Sequence, residues 1–67
     1  MAIAKTIEII SSSTESIEHA VKDGLERARK TIDNIEGVWV KDIKAQVRDG
    51  KLVEWRIIMV VTFVLND

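Results

Sequence analysis

The chain has 67 residues, no cysteine, no proline and a single histidine, and its ten basic and eleven acidic side chains give a formal net charge of −1. A chain this short buries only about 60% of its unfolded surface, and with disulfides excluded and a zinc-type site disfavoured, association with other copies is the support that remains. Near-neutral charge gives no broad attraction for nucleic acid, and the longest apolar run falls short of the roughly 20 residues that cross a bilayer as a helix.

In chain order, Ala2 to Ile10 (AIAKTIEII) alternates: Ile3, Ile7 and Ile9 share one face, while Ala4, Thr6, Glu8 and Ile10 share the other. This predicts a strand. No charged segment precedes a leader-like apolar stretch here, which with the absence of cysteine leads us to expect a soluble cytoplasmic protein. Ser11-Ser12-Ser13 is expected to break the strand and place Ser13 as the helix N-cap, its hydroxyl accepting from Glu15 or Ser16. From Thr14 to about Asn34, Ile17, Ala20, Val21, Gly24, Leu25, Ala28 and Ile32 recur at three- and four-residue spacing. That is the stripe of an amphipathic helix. Glu18 with Lys22 and Glu26 with Lys30 stand at i,i+4, predicting a solvated ladder of charge on the outer side. Gly24 within the stripe costs about 1 kcal/mol relative to alanine, so it points to close approach of another backbone, such as a neighbouring subunit's.

A second strand is expected over Val38 to Arg48, with Trp39, Ile43, Ala45 and Val47 on one face and Val38, Val40, Asp42, Lys44, Gln46 and Arg48 on the other. Asp49-Gly50 is a strong signal for a two-residue hairpin, because both positions of a type I′ turn need positive φ. Val53 to Leu65 (VEWRIIMVVTFVL) is then the third strand, the most apolar of the three and rich in β-branched residues. Val53, Trp55, Ile57, Met59, Val61, Phe63 and Leu65 line one face, yet Ile58, Val60 and Val64 make much of the other apolar too. A strand apolar on both sides must be covered on both. One helix covers one side, so other copies of the chain are expected to cover the second. The fold class is α+β: a single domain over residues 1–67, ordered β-α-β-β, with a three-stranded antiparallel sheet in the order 1-3-2 packed on one amphipathic helix.

P-loop, dinucleotide-turn, HExxH and CxxC signatures are all missing from the sequence. His19 and Asp23 stand at i,i+4, a spacing that can orient an imidazole for acid-base work, but among the charges of an outward helix face they read as a solvated pair. The serines read as turn and cap, and Arg27, Arg29 and Lys30 as a basic patch diluted by Glu26 and Asp33. No catalytic residue is assigned. Trp39 and Trp55 offer flat surfaces either for packing or for stacking a planar ring. Arg56, on the face opposite Trp55, suits a bridge between subunits, stacking on a ring, or pairing with an anion.

The run from Lys5 to Ile10 into Ser12-Ser13-Thr14-Glu15-Ser16, then Ala28-Arg29-Lys30-Thr31-Ile32 with Asn34-Ile35, then Asp49-Gly50, Glu54-Trp55 and Val61-Thr62-Phe63-Val64-Leu65, resembles the dodecins. The resemblance implies a hollow homododecamer that is not an enzyme and that holds a flavin (riboflavin, FMN or FAD) near its subunit contacts. It places the ligand near Gly37, Trp39, Lys44, Trp55 and Arg56. Flavin-binding dodecins carry a stacking tryptophan where this chain has Gly37, and a glutamine, after an aromatic, where it has Arg56 behind Trp55. The pattern is similar to a subgroup lacking both, some of whose members are described as calcium dodecins. Calcium takes six to eight oxygen ligands, for which Asp42, Asp49, Glu54 and Asp67 are the candidates, gathered by symmetry; the metal ligands themselves are left unassigned.

Overall fold

The computed structural model describes residues 2–65. The order is β1 (Ala4–Ser13), α1 (Ile17–Ala28), β2 (Ile35–Arg48) and β3 (Lys51–Val64), and the sheet runs β1-β3-β2 with both pairings antiparallel. The expected topology is therefore the observed one. The most apolar strand sits in the centre because only there do both of its edges find hydrogen-bond partners. Asp49 (φ 53°) and Gly50 (φ 75°) both lie in the left-handed region, as the hairpin signal requires.

The serine run does not break the strand. Ser12 pairs with Arg56 and Ser13 with Trp55, so the ladder to β3 holds the serines extended, and the helix begins three residues later than expected. Ser16 is the N-cap, its hydroxyl accepting from the His19 N–H at 3.0 Å. Ser13 makes the bonds anticipated for it, accepting from the N–H of Glu15 at 3.0 Å and of Ser16 at 3.4 Å, but in the turn before the helix. Ser16→Ala is expected to lower stability by about 1 kcal/mol, read as the midpoint of thermal unfolding; an unchanged midpoint would remove the cap from the account.

The helix also ends early, at Ala28. Tightened turns follow, in which Lys30 N–H donates to the Arg27 carbonyl and Thr31 N–H to the Ala28 carbonyl, satisfying groups that a helix end leaves free. Asn34, at φ 62°, then turns the chain into β2. Ile32 packs on the core from outside the helix. The shortening breaks one expected pair: Glu26 bonds Arg29 at 3.3 Å rather than Lys30, whereas Glu18 and Lys22 pair as predicted at 3.3 Å.

Ala20, Gly24 and Ala28 are the buried residues of α1, and small side chains there let the helix lie close on the sheet. Beneath them Ile57, Met59 and Val61 are fully buried, each worth about 1.5–3 kcal/mol of burial. Ser11 ties β1 to the helix by donating to the Ala20 carbonyl at 2.7 Å. The close neighbours found at Gly24 are side chains of the same chain. A Cβ there would stand 2.5 Å from Met59 Sδ and 3.1 Å from Ser11 Cβ of the same chain.

The pairing of β2 with β3 shifts register at three places, and the shift between Val40 and Asp42 sets the faces of the middle of β2. Val40 pairs with Met59 and Asp42 with Ile58, leaving Lys41 as an extra residue in a bulge. A strand has period two, so one inserted residue exchanges its sides. Val38 and Val40 pack on the helix side; Ile43, beyond the bulge and opposite Ile57, lies on that side too but stays exposed, and Trp39 lies opposite Val60 on the far side, together with Asp42 and Lys44. The expected grouping of Trp39 with Ile43, Ala45 and Val47 is thus corrected.

Candidate functional site

The face of the sheet turned away from α1 carries the residues of interest. Directly opposed residues of antiparallel neighbours share a face, so it can be read as rows across β1, β3 and β2. They are Thr6–Thr62–Gly37, Glu8–Val60–Trp39, Ile10–Ile58–Asp42 and Ser12–Arg56–Lys44, with Glu54 opposite Gln46 beyond. No element of the described chain lies over these rows. Ile10 is 65% exposed and Trp39 62%, while Ile58 and Val60, flanked by strands on both sides, remain only half-buried. The far side of β3 is therefore apolar and uncovered in the single chain, as its sequence pattern indicates.

Of the five positions expected around a ligand, Gly37, Trp39, Lys44 and Arg56 share this open face. Trp55 does not. It is paired with Ser13 and Ala45 on the helix side and is partly buried there. Gly37 and Trp39 are successive same-side residues, separated by about 6.6 Å of strand. A Cβ at Gly37 would meet nothing within 4 Å, so the space above it is open. Arg56 stands beside Lys44, a like-charge cross-strand pair that is unfavourable in isolation. Glu54 relieves it, accepting from Arg56 at 2.6 Å. Lys44 has no such partner among the described residues, which leaves net positive charge at this end of the face.

Sequence reasoning missed one contact. Lys41 Nζ reaches Glu8 Oε1 at 3.0 Å, so an ion pair spans from β2 to β1 across the central strand, in the row of Val60 and Trp39. The bulge that turns Lys41 toward Glu8 has no local sequence signal. A cleft of about 580 Å³ between the end of α1 and the start of β2, lined by Leu25, Arg29, Ile35 and Val38, shares only Gly37 with this group. It lies on the helix side, and the cations and the exposed indole do not reach it.

The alternative centre around His19 has a different geometry from the one its spacing suggests. His19 Nε2 lies 3.3 Å from Glu15 Oε2 and its Nδ1 lies 2.8 Å from the Ser16 hydroxyl, so the ring is held by the cap of α1 rather than by Asp23. Both partners stand just ahead of the first turn, Ser16 as the cap and Glu15 before it. Among the described residues no three His, Cys, Asp or Glu side chains are grouped to hold a metal ion. Asp42 accepts from the Ile43 N–H at 2.9 Å and Glu54 is engaged by Arg56; Asp67 lies outside the described residues. No helix among them is long and apolar enough to cross a membrane.

The family model for dodecin matches residues 3–66. The chain belongs to the dodecin family. A curated dodecin from Thermus thermophilus is 29% identical over 65 residues, which make up 97% of this chain and 94% of that one. A crystal structure of a mutant T. thermophilus dodecin superposes with a TM-score of 0.93 at 28% identity, over the whole of both chains. A Mycobacterium tuberculosis protein described as a calcium-chelating immunodominant antigen, calcium dodecin, with a novel calcium-binding site, is 32% identical, with a TM-score of 0.82 over 96% of this chain and 91% of its own. Dodecin membership accounts for the long hairpin and the single helix laid on one side of it.

Proposed function

We infer that this dodecin is a non-enzymatic homododecameric shell in the cytoplasm that stores or sequesters a small ligand, and that the ligand is a flavin: riboflavin, FMN or FAD. The observation that carries this reading is the open sheet face. Its apolar residues, Ile10, Ile58, Val60 and Trp39, favour contact with further copies, while Gly37, Lys44 and Arg56 on the same face leave room and positive charge for a small anionic or planar guest. Trp55, on the other side, contributes to such a site only from a different copy or through packing.

The native mass of the purified protein, measured with an absorbance scan of the same sample, tests both halves. We expect a particle of about twelve times the 7.6 kDa chain mass with the yellow absorbance of a flavin whose fluorescence is quenched. A folded monomer would overturn the shell, and a colourless dodecamer that takes up no added flavin would overturn the ligand.

A second reading is favoured by the likeness to the calcium dodecin: a flavin-free shell that binds calcium. Asp42 and Glu54 lie on the open face, and Asp49 at the hairpin tip. One copy supplies too few oxygens, so the site would form between copies. Equilibrium dialysis against calcium separates this reading from the first.

A further inference from the structure

The open face is not uniform, and the difference between its rows assigns a place and an orientation to a planar ligand. The row Ile10–Ile58–Asp42 is apolar on β1 and β3, and its carboxylate on β2 already accepts from the Ile43 N–H, so a second copy can cover the two isoleucines without stranding a polar group. The row Thr6–Thr62–Gly37 has hydroxyls on two strands and, on the third, backbone with nothing above it. Neither threonine hydroxyl has a partner among the described residues on this face. An apolar side chain pressed onto that row would leave both hydroxyls buried and unpaired, which is unfavourable. A heterocycle with carbonyl or ring-nitrogen groups along its edge would pair them.

Between these rows stands Trp39, exposed, with the Lys41–Glu8 ion pair crossing β3 in its own row. Along β2 on this face Asp42 follows Trp39, with Lys41 in the bulge between them, and Gly37 precedes it, with open space above. Side chains on a strand stand roughly perpendicular to the sheet, so any substituent at position 37 would rise into that space; glycine keeps it clear. Resting on the flavin reading above, we propose that Trp39 is the stacking residue of this dodecin, with the ring system seated over Gly37 and its polar edge directed at Thr62 and Thr6. The stacking position is thereby displaced one same-side residue along β2 from the place that flavin-binding dodecins use. The glycine acts as a specificity residue, open to a fused planar ring and closed by any side chain.

Riboflavin titration of the intact assembly, followed by quenching of flavin fluorescence, tests this with three variants whose native mass is checked alongside. Trp39→Ala is expected to weaken binding about tenfold, the loss typical of one stacking contact. Gly37→Val, which keeps the indole but fills the space, is expected to weaken it comparably. Trp55→Phe should bind as the parent does, and because it leaves Trp39 as the only indole, riboflavin should quench its remaining tryptophan fluorescence. If the parent binds riboflavin and the Trp39 and Gly37 variants bind it equally well as intact assemblies, the placement is wrong while the flavin reading stands. If the parent assembly does not bind riboflavin at all, both fall together.

Discussion

Ile10→Asp is expected to convert the proposed assembly into dispersed single chains. In one copy Ile10 is 65% exposed at the outer strand β1, so a carboxylate there is solvated and costs the isolated fold little, within the roughly 1 kcal/mol span of strand preference. Covered by another copy, the same carboxylate becomes an unpaired buried charge, which costs several kcal/mol per site. Its row-mates worsen the position, since Ile58 offers no hydrogen bond and Asp42 carries like charge. The native mass should therefore collapse toward that of the monomer. Lys22→Glu, on the solvated side of α1, is the matched control and should leave the mass unchanged. An Ile10→Asp protein that sediments like the parent would show that this face is not where copies meet.

The second large effect is expected inside the chain. Gly24→Val should lower the thermal midpoint by about 10 °C, the consequence of a net loss of about 2 kcal/mol in a domain of this size. A Cβ at position 24 would meet Met59 Sδ at 2.5 Å, Met59 Cε at 3.3 Å and Ser11 Cβ at 3.1 Å. A methionine is normally the side chain most able to move aside. Met59, however, is fully buried between Ile57 and Val61 with no solvent to move into, and Ser11 is fixed by its bond to the Ala20 carbonyl. Overpacking of this kind costs about 1–3 kcal/mol, against a few tenths regained by removing glycine from a helix. Adding Met59→Ala to Gly24→Val should cost less than the two single changes together, because each relieves the other. Strict additivity would mean that the two residues do not touch.

The sheet was legible in the sequence because its signals are local and mutually consistent: alternation in β1, the Asp49-Gly50 turn, and a central strand too apolar for any edge. The helix limits were less legible. Ser13 and Ser16 are equally good caps by residue type, and what selects Ser16 is pairing of Ser12 and Ser13 with a strand more than 40 positions away. The periodic stripe ran on to Ile32 because a residue just past a helix can still pack on the core. The faces of β2 were read correctly up to Val40 and inverted after it, since the bulge at Lys41 leaves no mark in residue type. That inversion separated Trp39 in the sequence reading from Asp42 and Lys44, its true neighbours, and it concealed the Lys41–Glu8 bridge altogether. Gly37 and Trp39 could be placed on one side because both precede the bulge, whereas setting Arg56 beside them takes the pairing of β3 with β2, which runs through it.

The described chain measures 51 × 19 × 14 Å and fully shields only a handful of side chains around Met59. Such a plank has almost no inside of its own. In the proposed shell most of what would count as interior is on loan from neighbouring copies, so the resistance of the protein to heat or urea is expected to grow with how many planks are present. Dilution, for a molecule so built, is then expected to weaken the fold.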